Sequence, residues 1–275
     1  MTDQAARTEH FLTLHRGPEP LLLPNAWDRG SAVLLASLGF AAIATTSSGF
    51  AATLGRLDGN VTRDEALRHA AFIAASTGLP VSADLENCFA DDPAGVAETV
   101  RLATATGLAG CSVEDFTGRS DDPFYEAALA AERVAAAAEA AHAATGTAGR
   151  LVLTARAENY LHGRPDLADT ISRLQAYQAA GADVLYAPGL TRLEDIRQVV
   201  ASVDRPVNVL TLAGTPPVRE LAAAGVRRIS VGGAFAMAAL GMLHEAAQEF
   251  REQGTYGYLW YARIGRDTVQ ASFSS

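Results

Sequence analysis

The sequence predicts a (β/α)8 barrel, on three observations. Eight short apolar runs alternate with eight longer helix-like stretches between residues 21 and 252. The runs are continuously apolar, as in parallel strands buried on both faces. Gly39, Gly78, Gly107, Gly146, Gly181 and Gly225 each follow a helical stretch just before the next strand, where a left-handed residue ends a helix. A doubly wound sheet is the competing architecture. No GxGxxG follows the first strand, and eight units favour closure.

In chain order, a helix over 3–16 caps the barrel floor, and LLLP (21–24) forms the first strand, followed by a helix over 28–38. AAIATT (41–46) precedes a helix over 62–77, whose start carries a capping box, Thr62 three residues before Glu65. LPVSAD (79–84), AGCSVED (109–115) and RLVLTAR (150–156) are the next strands, with helices over 93–106, 125–145 and 167–180. ADVLYAP (182–188), RPVNVL (205–210) and RRISVGG (227–233) complete the sheet, with helices over 191–202, 216–224 and 234–252. No linker or low-complexity stretch divides the chain, so it reads as one domain over 1–275. Tyr256, Tyr258, Trp260 and Tyr261 cluster beyond the last helix. Such rings point to an oligomer built through the C-terminal segment, the alternative being that they fold back on the barrel.

Composition limits the chemistry. All 22 basic residues are arginine, so Schiff-base catalysis and a Walker phosphate loop, which need lysine, are excluded. A net charge of −9 argues against nucleic acid and anionic membrane as partners. No apolar run approaches a membrane span, and MTDQAARTEH lacks the apolar core of a signal peptide. Two cysteines, Cys88 and Cys111, make neither a disulfide framework nor a zinc cluster. The expectation is a soluble cytoplasmic protein.

In such a barrel, chemistry lies at the C-terminal strand ends. These carry Asn25-Ala26-Trp27-Asp28, Thr45-Thr46-Ser47-Ser48-Gly49, Asp84-Leu85-Glu86-Asn87, Glu114-Asp115, Arg156-Ala157-Glu158-Asn159-Tyr160, Tyr186, Asn208 and Gly232-Gly233, with Asp58 in the loop after the second strand. Asp84 and Glu86, two apart, project to one side, and Glu114 comes from the neighbouring strand. An oxygen-only set suits Mg²⁺ or Mn²⁺ rather than zinc; alternatively the acids only cap helices. Arg156 is a clamp for a substrate carboxylate or oxyanion, or a structural ion pair with Glu158 or Glu114. Thr46, Ser47 and Ser48 offer hydroxyls and N–H groups to a carboxylate, or form an ordinary turn. His162 is a proton donor or a solvated loop residue, and the other five histidines read as surface residues. Cys88, close to the acids, is a reactive thiol or an inert one; Cys111 reads as core.

These segments together resemble the isocitrate lyase/phosphoenolpyruvate mutase superfamily, in its smaller branch. The resemblance covers roughly residues 18–245 and rests on LPNAWDRGSA (23–32), GFAAIATTSSGFAATLGRLDG (39–59), LPVSADLEN (79–87), AGCSVED (109–115), LTARAENY (153–160) and GADVLY (181–186). It implies a barrel whose last helix is exchanged between subunits of a homodimer or homotetramer, and Mg²⁺-dependent chemistry on small 2-oxo or 2-hydroxy carboxylates. It implies Asp84 as the metal-side carboxylate, Glu86 and Glu114 holding metal waters, and Asp58 in the same network. Residues 46–48 would take the substrate carboxylate, with Trp27 and Asn208 also in the binding set, and Arg156 would stabilise an enolate. The family's lyases carry a Lys-Lys-Cys-Gly-His type segment after the fourth strand, where this chain reads DFTGRSDDPFYE (115–126). The loop lysine and asparagine of the phosphonomutases are missing too, as are their histidine after the sixth strand and the lyases' glutamate near it. Tyr125, Tyr160 and His162 remain for proton transfer, Tyr160 being preferred. The expectation is a lyase or decarboxylase working through an enolate, against P–C bond chemistry or a metabolite-binding relative without turnover.

Overall fold

A computed structural model describes residues 3–143 and 149–274. Its sheet is wholly parallel, in the order β1-β9-β8-β7-β6-β5-β4-β3-β2. The strands are β1 (Leu21–Leu23), β2 (Asn25–Ala26), β3 (Ile43–Thr45), β4 (Val81–Ala83), β5 (Gly110–Glu114), β6 (Val152–Arg156), β7 (Val184–Tyr186), β8 (Val207–Leu210) and β9 (Arg228–Ser230). β1 and β2 are one predicted strand broken at Pro24, which has no N–H to give to a ladder. β1 pairs with β9 and β2 with β3, so the ring closes across this break. Asn25 stitches the seam: its Nδ2 donates to Thr45 O at 2.7 Å, and its Oδ1 accepts from Val231 N and Gly232 N at 3.1 and 2.9 Å.

The helices are α1 (Asp3–Leu14), α2 (Arg29–Ser37), α3 (Ser47–Thr53), α4 (Arg63–Ala74), α5 (Pro93–Thr104), α6 (Ala127–His142), α7 (Leu167–Ala179), α8 (Leu193–Ala201), α9 (Val218–Ala223), α10 (Ala234–Gln248) and α11 (Leu259–Ser272). A π-helical turn over Glu249–Gln253 continues α10. The capping box at Thr62 and Glu65 is present, and Asp28 makes a second with Ser31. Gly39, Gly107, Gly181 and Gly225 are left-handed as expected, whereas Gly78 is not; Gly146 lies outside the described residues. Two helices were not anticipated. TTSSG reads as a turn, but Thr46 caps α3 through Gly49 N, and the aromatic tail winds into α11.

Strand residues alternate between two cores. Ile43, Val81, Ala83, Val113, Leu153 and Ala155 join the larger core with the helices, while Leu21, Leu23, Ala44, Val152 and Val184 fill the barrel bottom with Phe11 of α1. The expected floor helix is therefore present. His15, expected at the surface, is instead only 4% exposed there, its Nδ1 2.7 Å from Phe11 O. His10 and His244 are exposed; His69 and His142 are half-buried.

Burial, and to a lesser degree the positive charge of Arg228, lowers the His15 pKa to about 3. An unfolded chain binds this proton below the ordinary histidine pKa of roughly 6.5, and the folded chain does so only near the lowered value. Stability therefore falls on acidification through that window, by at most roughly 5 kcal/mol from this group. Urea unfolding of wild type and His15→Leu between pH 7 and 4 checks this: the variant should lose less stability on acidification. Equal losses would remove His15 from the account.

Candidate active site

The C-terminal strand ends surround a cavity of about 160 Å³ that opens outward into a vestibule of about 540 Å³. Ser47, Asp58, Leu161 and Arg156 line both. Arg156, the last residue of β6, is the hub. Its Nη1 donates to Asp84 Oδ1 at 3.0 Å, its Nε to Glu158 Oε1 at 2.6 Å, and its Nη2 lies 3.2 Å from Glu114 Oε2. The guanidinium also sits 5.1 Å from the centroid of the Tyr186 ring. The ion pairs allowed by the sequence are thus made, to three acids at once. Burial opposes the arginine's charge, but Glu158, Glu114 and Asp84 more than offset it and raise its pKa above the ordinary value.

Five carboxylates, Asp58, Asp84, Glu86, Glu114 and Glu158, lie around this one guanidinium, which pairs with three of them. Asp84 is anchored from its other oxygen, Oδ2 accepting from Ser47 N at 3.0 Å. Burial, then repulsion from Asp84 and Asp58, pushes Glu86 up to about 8. Burial is also the main cause of the upward shifts of Asp58, Glu114 and Glu158. Glu86 holds a left-handed φ of 50°, as do Cys88 and Phe89 at 60° and 56°, a strained run that turns the chain out of β4. Among the described residues, no three His, Cys, Asp or Glu side chains form a ready metal cage. Arg156 pairs with both Asp84 and Glu114.

Alternation along the strand separates Glu114 from its neighbour Asp115. Asp115 points away from the cavity, accepting from Arg173 Nη1, Tyr177 Oη and Glu158 N at 3.0, 2.6 and 2.8 Å, and so ties β5, β6 and α7 together. Thr46 and Ser48 line the cavity with their hydroxyls 3.1 Å apart. A side chain at Gly233 would collide with Ser48 Oγ, and one at Gly49 would come within 2.6 Å of Thr46 Cγ2, so both glycines allow α3 and α10 to converge on this wall.

The structure gathers Asp58, Asp84, Glu86, Glu114, Arg156 and residues 46–48, but not the other expected residues. Trp27 lies beside Gly49, its carbonyl held by His69 Nε2 at 3.0 Å, and lines neither cavity. Asn208 sits beneath the cavity, its side chain engaged by Ser230 and Arg228. Tyr160 packs on the outer core and faces Asp195, Asp166 and Arg192; Tyr125 bonds Asp91 and Asn87. The loop histidine behaves differently. His162 lines the vestibule, stacks on Phe116 with centroids 3.6 Å apart, and brings Nε2 within 3.6 Å of Glu158 Oε2, a buried oxygen without a hydrogen bond. Burial, then Arg156, lowers its pKa. Both cysteines are fully buried and burial raises their thiol pKa values, so neither is a reactive thiol. Sequence reasoning placed Glu158 and Tyr186 at strand ends but gave Glu158 only a structural pairing and Tyr186 no role, and it missed Arg228 altogether. Arg228 stands two residues before Ser230 and shares its inward face, a spacing that could have revealed it.

A closed parallel barrel with charged groups converging at the C-terminal strand ends defines a barrel enzyme. Residues 11–251 match the phosphoenolpyruvate phosphomutase family. The chain belongs to that family and is an enzyme of the isocitrate lyase/phosphoenolpyruvate mutase superfamily. A crystal structure from Burkholderia cenocepacia J2315, provisionally described as a lyase/mutase, is 51% identical with a TM-score of 0.94, covering 99% of this chain and 97% of that one. The 2-methylisocitrate lyase of Escherichia coli K12 is 30% identical over 207 residues, 72% of this chain and 68% of the lyase. The oxaloacetate decarboxylase of Paraburkholderia xenovorans LB400 is 31% identical over 165 residues, 57% of this chain and 52% of the decarboxylase.

Proposed function

We propose that this chain is a Mg²⁺-dependent lyase that acts on a small 2-oxo carboxylate through an enolate, by decarboxylation or C–C cleavage, with a pyruvate-type product. The observation that carries this reading is the Arg156 hub, a cation buried among acids at the mouth of a small polar cavity. The donors suit Mg²⁺ or Mn²⁺: they are oxygen only, the Glu86 carboxylate has no hydrogen-bond donor among the described residues, and Glu158 Oε2 is orphaned. Asp84 would hold the ion, with Glu86 and Glu114 holding its waters. When bound it supplies a Lewis acid for charge developing on the substrate oxygens.

The chain's own groups supply the rest. Thr46, Ser47 and Ser48 orient the substrate carboxylate, and Leu161 adds an apolar wall where the cavity meets the vestibule. Arg156 stabilises the oxyanion as CO₂ or the second product departs. His162, supported by Glu158, is the group best placed to return a proton to the enolate carbon. The loop that carries the acid/base in the family's lyases has no cysteine, lysine or histidine here, and no reactive thiol replaces it. Decarboxylation asks less of a base than removing a proton from a substrate hydroxyl. General acid–base catalysis contributes typically ~10²–10⁴-fold, so a substrate needing that step should turn over poorly.

A panel of oxo acids with Mg²⁺, read by pyruvate release and phosphorus NMR, tests this reading. A 2-oxo diacid such as oxaloacetate should be consumed and 2-methylisocitrate should not; efficient cleavage of 2-methylisocitrate would overturn it. The family match itself favours a second reading, P–C chemistry at phosphoenolpyruvate, which would appear as a phosphonate signal in the same panel. No signal with any substrate would point to a metabolite-binding relative. Asp84→Ala should weaken Mg²⁺ binding at least tenfold by titration calorimetry, and unchanged affinity would remove Asp84 from the metal site. Among the described residues no helix is long and apolar enough to cross a membrane, and the proposed location is the cytoplasm.

A further inference from the structure

The interior of a barrel of this kind is ordinarily filled by layers of branched apolar side chains. Here only the bottom layer is. Above it, still inside the ring, stand Ser82, Ser112, Thr154, Asn208, Ser230 and Arg228, all buried. Arg228 is 4% exposed and lines the inner cavity from β9, across the ring from Ser112 of β5. Its Nε donates to Asn208 Oδ1 and its Nη1 to Thr154 Oγ1, each at 3.0 Å, and both acceptors are neutral.

No carboxylate among the described residues pairs with Arg228. Burial, the largest cause, and the like charge of Arg156 lower its pKa to about 10, while the nearby Tyr186 phenol, itself raised to about 12 and so neutral, offers no counter-charge. A buried cation without a counter-charge is costly, and the acids at the mouth are committed to Arg156. A second unmet group faces the same cavity: Ser112 Oγ is buried without a hydrogen-bond partner. A cation and a hydroxyl left unmet in one small cavity are together the complement of an acid group.

We propose that Arg228 binds the second acid group of a dicarboxylate substrate, which enters the barrel carboxylate first and leaves its 2-oxo acid end at Arg156. This rests on the reading of the cavity as a carboxylate site and names its substrate class. A monoacid held at Arg156 would leave Arg228 buried and uncompensated, whereas a diacid brings it a counter-charge, so selectivity for diacids is built into β9. Tyr186, whose ring lines the cavity, bounds the space between the two ends.

The test compares two inert acids of equal chain length, succinate and butyrate, by titration calorimetry in chloride-free buffer with Mg²⁺. Wild type should bind succinate at least tenfold more tightly than butyrate. The ratio should fall at least tenfold in Arg228→Gln and be partly kept in Arg228→Lys, which retains the charge. Equal affinities in wild type, or an undiminished ratio in Arg228→Gln, would overturn the assignment. Should Arg228→Gln fail to fold, the wild-type ratio and that of Arg228→Lys, which cannot reproduce the fork to Asn208 and Thr154, still decide it. Chloride that tightens butyrate binding in wild type would mean that a free anion occupies the position, which also counts against a substrate group there. If neither acid binds, the reading of the cavity as a carboxylate site fails; if both bind equally, that reading stands and only the role of Arg228 falls.

Discussion

Arg156→Ala should abolish Mg²⁺-dependent pyruvate release from oxaloacetate, lowering kcat by a factor of at least about 10²–10³, the cost of removing one preorganised oxyanion donor. The substitution also strips Asp84, Glu114 and Glu158 of their shared counter-charge. Burial already raises the pKa values of Glu114 and Glu158, and loss of the guanidinium that opposes this shift should raise them further. The variant should therefore hold these acids less readily as carboxylates and bind Mg²⁺ less tightly as well. Arg156→Lys keeps the charge but cannot reach three carboxylates with one planar fork, so it should recover little activity. Steady-state kinetics of the two variants, with circular dichroism to confirm folding, decides. Retained turnover in Arg156→Ala would separate the hub from the chemistry.

Removal of residues after Gly254 should have the second largest effect, on assembly. α10 is the most apolar helix of the chain, yet only Ala236 on it is buried, while Phe235, Met237, Leu240, Met242 and Leu243 are all more than a third exposed. α11 adds Leu259, Trp260, Tyr261 and Ile264 at 47–59% exposure. Its C-terminal end alone turns back on the barrel, Ser272 Oγ meeting Ser37 Oγ at 2.8 Å. A second copy of this chain, covering α10 and α11, is the occupant we propose for such a surface. Light scattering should show a dimer or tetramer for the full chain and a smaller, aggregation-prone species for the truncated one. A monomer in both would mean that this apolar face stays bare.

The barrel was legible in the sequence because its signals are local. Continuous apolar strands and capping residues depend on neighbours within a turn or two, so Thr62 with Glu65 could be read directly. The break at Pro24 and the short helix after Thr46 were not, since a three-residue strand and a seven-residue helix carry too little periodicity to register. The acids of β4 and β5 were legible for the same reason as the strands: their place at the strand ends follows from register. Side-chain direction beyond a strand end did not. Tyr160 and His162 are two apart on one loop, and only the packing of Phe116 decides that the imidazole faces the vestibule while the phenol turns to the core. Arg228 stayed hidden because an arginine at the start of a strand ordinarily reads as surface.

The seam at Pro24 bears on how the molecule is made. The strand that precedes it must find β9, some two hundred residues later, which gives the ring its contacts of longest sequence separation. Closing a loop over such a span carries the largest chain-entropy cost of any pairing in the ring. Until the ring closes, Asn25 has no partner in Val231 and Gly232, and the wall of Gly232 and Gly233 does not face Ser48. The acids and Arg156 all precede residue 160, but the cavity they face needs the last strand as well, so the site is complete only when the two ends of the ring are joined.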